Sequence, residues 1–135
     1  MRIGRRGKQA AKLLLAIAAG TVVGLAIFWE NIPSVALYSQ SFDSATWKSS
    51  PAEFTHKSRR LRMADDLLKT HPLVGLDRAA IGALLGDPDQ TPYFRGYDMV
   101  YFLGQERSYF GIDGEWLVIK LDSAGVATEA KLVTD

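Results

Sequence analysis

Residues 116–133 read WLVIKLDSAGVATEAKLV, and their alternation decides the fold class. Leu117, Ile119 and Leu121 fall on one face of an extended chain, and Trp116, Val118 and Lys120 fall on the other. Ser123-Ala124-Gly125 supplies a tight turn with glycine at the left-handed position, and Val126–Val133 returns as a further strand. Upstream, Tyr97–Leu103 is aromatic and β-branched, Arg107–Ile112 continues in the same manner, and Asp113-Gly114 is a hairpin signal. This half of the chain predicts an antiparallel meander of three or four strands.

Two helices precede the meander. Ser50-Pro51-Ala52-Glu53 has the form of a capping box with proline at the first helical position. Phe54, Leu61, Ala64, Leu67 and Leu68 then make an apolar stripe that ends before Pro72. Asp77 reads as the N-cap of a shorter helix that carries Ile81, Leu84 and Leu85 and stops at Gly86. Helices followed by an antiparallel meander give an α+β class, with the helices covering one face of the sheet.

Working back from residue 50, residues 30–49 form a linker that ends in Phe42, Asp43 and Trp47. Aromatics in a tether pack on the domain they precede, because leaving them in water forgoes a few kcal/mol of burial. Before the linker, residues 13–29 run LLLAIAAGTVVGLAIFW without a charge. As a helix they cover roughly 26 Å, just short of a ~30 Å hydrocarbon core, and Lys12 can snorkel. Five basic residues (Arg2, Arg5, Arg6, Lys8 and Lys12) lie in the leader 1–12, and the next Lys or Arg after the span is Lys48. That asymmetry predicts a single-pass membrane anchor with a cytoplasmic N-terminus and the domain 50–135 in the periplasm or outside the cell. A signal peptide cleaved near Ser34 and Ala36 is the alternative, and it too exports the domain. Ala16, Gly20 and Gly24 share one helical face, where small residues permit close pairing of two membrane helices.

The formal charge of +1 belongs to the leader: from residue 31 onward 11 basic residues face 14 acidic ones. The folded part therefore has no basic footprint for nucleic acid. Absence of cysteine removes disulfides, thiolate metal sites, cysteine nucleophiles and the acylated cysteine of a lipoprotein. His56 and His71 are ~22 Å apart on a continuous helix, too far to share a metal. No G-x-S-x-G elbow and no glycine-rich phosphate loop is found. The sequence points to no catalytic residue, metal or cofactor.

Gly75-Leu76-Asp77-Arg78-Ala79-Ala80-Ile81, running to Leu85-Gly86-Asp87-Pro88, resembles the second-helix signature of SmpA/OmlA (BamE-like) domains. The Tyr101-Phe102-Leu103 strand and the Leu117–Asp122 strand with Gly125-Val126 match in kind and order, so the similarity spans Arg59–Val133. It implies an α-α-β-β-β envelope domain used for protein contacts and assembly support. This chain departs from that family in lacking the acylated cysteine and in carrying an apolar N-terminal stretch. The Phe42-Asp43…Trp47 segment also resembles that of small bacterial membrane-anchored proteins of the same pattern.

The leading expectation is a non-enzymatic domain that contacts an envelope protein through the solvent face of the sheet and the 87–96 loop. Tyr93, Phe94, Tyr97, Tyr109, Phe110 and Trp116 make that region aromatic beyond the needs of one small core. Each ring also admits the reading of a gap-filler beneath the helices. A small-ligand or lipid-binding module, with Arg95 or Arg107 meeting an anion, is the second expectation.

Overall fold

The computed structural model describes Thr21 and residues 39–51, 53–108 and 110–135. Apart from Thr21, the stretch 13–29 with Ala16, Gly20 and Gly24 lies outside the described residues, as does Tyr109. Among the described residues no helix is long and apolar enough to cross a membrane.

The domain is α+β, with three helices where the sequence predicts two. The added helix, α1 (Ser44–Ser49), lies in the expected linker. Its cause is local: Asp43 Oδ1 accepts the Thr46 N–H at 2.7 Å, an N-cap in the first turn. At the other end Ser50 Oγ donates to Thr46 O at 2.6 Å. That bond corrects the expected capping box, because Ser50 closes the preceding helix and does not open the next. Trp47, on α1, is completely buried.

The second helix, α2, spans Arg59–Thr70, so it starts well after the expected Ser50. Ser58 stands at its N-cap position, but the hydroxyl donates to Leu103 O and ties the helix start to the sheet. Leu61, Met63, Ala64 and Leu67 are its buried stripe. Phe54, expected in that stripe, sits in the preceding turns and is 57% exposed. The third helix, α3 (Arg78–Leu85), follows the sequence closely: Asp77 Oδ1 accepts the Ala80 N–H at 2.7 Å, and the helix ends at Gly86.

Three strands, β1 (Met99–Gln105), β2 (Gly114–Leu121) and β3 (Ala127–Thr134), pair antiparallel in the order β1-β2-β3. The register sets Val100 opposite Val118, Phe102 opposite Trp116 and Trp116 opposite Val133. Of residues 107–112, expected as strand, the described ones (107, 108 and 110–112) lie instead in the connection from β1 to β2. Glu106 closes this loop, accepting from Ser108 Oγ at 2.6 Å and from the Ile112 N–H at 3.2 Å, while its own N–H reaches Asp113 O. Those local bonds replace a ladder, and Gly114 becomes the first residue of β2. The β2–β3 turn is as expected: Gly125 has φ +78°, and the Asp122 carboxylate accepts from the Ala124 and Val126 N–H groups.

All three helices pack on one face of the sheet. Met99, Tyr101, Leu103, Leu117 and Ile119 meet Trp47, Leu61, Met63, Leu67, Ile81 and Leu85 there. Burial pushes the Tyr101 hydroxyl well above its ordinary pKa, with Asp89 adding to the effect, and that hydroxyl donates to Gly86 O at 2.9 Å. Gly104, beside an irregularity in β1, allows this packing: a Cβ there would stand 2.8 Å from both Ser58 Cβ and Thr55 O.

Candidate functional site

Alternation leaves the opposite face of the sheet to Val100, Phe102, Trp116, Val118 and Val133. No helix covers it. Its only cover among the described residues comes from side chains of two connecting segments, 53–58 and 87–98. Phe94 and Tyr93 reach Trp116 with ring centroids 5.8 Å away in each case, and Phe102 lies 4.7 Å from Trp116. Phe54 stacks on Phe102 with the rings within 1° of parallel, at 6.4 Å. Tyr97 flanks the group, with Lys131 Nζ 5.5 Å from its ring centre.

Two features hold this arrangement. Phe94 is the one described residue other than glycine with positive φ, at +56°, and its carbonyl accepts the Tyr97 N–H at 2.9 Å. Positive φ is unfavourable for a bulky residue, so the turn spends conformational energy to aim that ring at Trp116. The 87–98 segment is itself pinned to the β1 edge: the Asp89 N–H donates to Val100 O, and Asp89 Oδ2 accepts the Phe102 N–H at 2.7 Å. Asp98 Oδ2 accepts the Leu121 N–H, fixing the other end.

Of the six aromatics expected at a contact surface, Tyr93, Phe94, Tyr97 and Trp116 come together here. They are not equivalent. Trp116 is only 8% exposed and forms the floor, whereas Tyr93 is 52% exposed and forms the rim. Exposure therefore separates these rings by position, and they lie on the sheet face opposite the helices and not beneath them. Phe110 belongs to the 106–113 loop and is 80% exposed. Sequence reasoning missed Phe54 and Phe102. Phe102 was legible, because it alternates with Tyr101 and so shares a face with Val100. Phe54 was not, because its place depends on the helix start moving to Arg59.

The polar groups around the face are largely committed. Arg107, expected as an anion contact, is held by Glu115, with Nε 3.0 Å from both carboxylate oxygens, and by Asp65. Burial alone lowers the guanidinium pKa, but these carboxylates outweigh it and keep Arg107 above its ordinary value. Arg95 is exposed, with Nε 3.3 Å from Pro92 O. A cleft of about 310 Å³ lies beside Arg107, lined by Glu106, Ser108, Glu115 and the end of β3. A second, of about 350 Å³, lies between α1 and α2 and is lined by serines with Glu53, Lys57 and Arg59. Among the described residues no group of three or more His, Asp or Glu is placed to hold a metal ion. No family model, curated protein or solved structure matches the chain.

Proposed function

We infer that this chain is a membrane-anchored, non-enzymatic interaction domain of the bacterial envelope, and that it contacts an envelope protein through the aromatic face of its sheet. One observation carries the reading. Five rings (Phe54, Tyr93, Phe94, Phe102 and Trp116) gather on the sheet face opposite the helices, and two of them are more than half exposed. A buried aromatic floor with an exposed aromatic rim has the composition of a protein-contact hot spot. This group is separate from the core on the helix side, and its rim stays open to solvent.

The anchor is residues 13–29, and the basic leader places the domain outside the cytoplasm. The resemblance to SmpA/OmlA domains in Gly75–Pro88 is consistent with a role in envelope assembly, and the proposal extends it to this chain.

The test is site-specific photo-crosslinking in intact cells, using the full chain with a photoreactive phenylalanine at Tyr93 or Phe54. Lys69 and Ser123, exposed positions elsewhere on the domain, serve as controls. A discrete envelope-protein adduct from Tyr93 and Phe54, absent from the controls, supports the reading. Adducts only to lipid, or equal yields from all four positions, would overturn it.

A further inference from the structure

The two edges of the sheet are treated differently. The outer edge of β1 is occupied by Asp89 and by Ser58, whose groups bond Val100 O, the Phe102 N–H and Leu103 O. Only the first residues of β3 are covered in this way: Gly75 N–H donates to Ala127 O, Ala127 N–H donates to Leu76 O, and Asp77 bridges Val126. Beyond them, among the described residues, the edge is open. The direction of its polar groups follows from the ladder. Asp135 N–H donates to Gly114 O, so that pair faces inward, and alternation through the regular register turns Ala130 and Leu132 outward. Asp98 N–H donating to Ile119 O agrees, because it turns Ile119, the partner of Ala130, toward β1. Among the described residues no hydrogen bond reaches the outward main-chain groups of Ala130 or Leu132.

We propose that this edge pairs with the β3 edge of a second copy of the chain, antiparallel about a two-fold axis at Ala130, to form a six-stranded sheet. Charge selects both occupant and register. With Ala130 facing itself, Glu129 lies directly opposite Lys131 of the second copy, and Lys131 opposite its Glu129. These two residues already pair along the strand, and both are well exposed. The axis would join them into a square of alternating charge. Moving the axis to Glu129 or Lys131 sets like charges face to face, and moving it to Leu132 sets Glu129 against Asp135. Opposite charges across an antiparallel pair stabilise it and like charges destabilise it. Isologous pairing of a strand edge also satisfies the outward N–H and C=O groups that an open edge leaves to water. Lysine on an edge ordinarily deters pairing. Here glutamate two residues away cancels that deterrent for a copy of the same strand.

The experiment is analytical ultracentrifugation of the full chain in detergent, with four samples: wild type, Glu129→Lys, Lys131→Glu, and the two variants mixed. Each variant alone turns both cross-axis contacts repulsive, and dimerisation weakens about thirtyfold. In the mixture a Glu129→Lys chain meets a Lys131→Glu chain with both contacts attractive, and the dimer returns as a heterodimer. A wild type that stays monomeric overturns the proposal, and so does a dimer indifferent to both variants, which would assign association to another surface. Should either variant fail to fold, cysteine placement decides. The chain has no cysteine, so Ala130→Cys at the axis forms an interchain disulfide under mild oxidation. Lys69→Cys on α2 remains monomeric. No crosslink at position 130 refutes the register.

Discussion

Replacing Trp47 with alanine tests whether the segment before α2 belongs to the folded domain or is only its tether. Trp47 is 0% exposed, lies edge-on to Phe42 at 5.8 Å, and has the Arg60 guanidinium 5.7 Å from its ring centre. Truncating a fully buried aromatic to alanine costs about 3–5 kcal/mol, through lost transfer energy and the cavity left behind. One term works the other way. Among the described residues no hydrogen-bond partner reaches the buried Trp47 Nε1, and an orphan donor of this kind costs the native state about 1–3 kcal/mol. Trp47→Phe removes that orphan donor while keeping a ring in the site, so its loss is about 1 kcal/mol or less. The assay is urea unfolding of both variants followed by far-UV circular dichroism. Net of that term Trp47→Ala loses about 2 kcal/mol, and with a slope of about 2 kcal/mol/M its midpoint falls by roughly 1 M. A wild-type midpoint for Trp47→Ala would mean that α1 does not unfold with the sheet. A phenylalanine variant as damaged as the alanine one would refute the argument from the orphan N–H.

Other perturbations follow from the polar groups. Arg107→Met leaves Glu115, only 6% exposed, without its cation. After allowance for the partly exposed guanidinium the cost is about 2–3 kcal/mol, and Glu115→Gln in the same chain recovers most of it; thermal melts of the four forms give the coupling, and a value near zero contradicts the assignment. Acid acts through Asp43 and Glu106. The Thr46 cap holds Asp43 below its ordinary 3.8, and the Ser108 hydroxyl holds Glu106 below its ordinary 4.5. Both folded-state values are depressed, so both contributions are complete above about pH 5 and are lost as pH falls through those values. The melting temperature is then level near neutrality and declines below about pH 4, less steeply in Asp43→Asn/Glu106→Gln. A double variant with the wild-type acid slope would refute it.

What the sequence made legible was carried by strong local chemistry. Asp77 and Gly86 bracket α3 because a carboxylate cap and a glycine stop act within one turn, and Asp122–Gly125 makes its turn for the same reason. The α+β class followed from the period-two pattern of 116–121. Failures arose where two local options competed. Ser50 fits a helix start as well as a helix end, and only the tertiary placement of Trp47 and of Ser58 against Leu103 O decides between them. Residues 107–112 have strand-like composition, yet bonds from Ser108 to the Glu106 carboxylate and from Arg107 to Glu115 take the place of a ladder there. The aromatic face was foreseen as composition, but its division into buried floor and exposed rim depends on the 87–98 segment crossing the sheet. No short-range pattern encodes that crossing.

The aromatic face and the β3 edge meet at two residues. Lys131 lies over Tyr97, and Val133 sits opposite Trp116 within the second cluster. Glu129 and Tyr97 together raise the Lys131 pKa above its ordinary value, so the cation persists at any physiological pH. Pairing two β3 strands at Ala130 would therefore bring two aromatic faces side by side on one continuous sheet surface, with the charge square between them. A partner carrying two contact segments, or two partners held together, would gain from that geometry, since a second tethered contact raises avidity by about 10²–10⁴ without a new kind of interaction. The consequence is measurable in cells. Crosslinking from Tyr93 should fall at least tenfold in a Glu129→Lys background and return when Lys131→Glu chains are co-expressed. Yields that ignore the edge charges, from chains shown to dimerise through β3, would mean that each face binds alone and that the edge serves only to join the subunits.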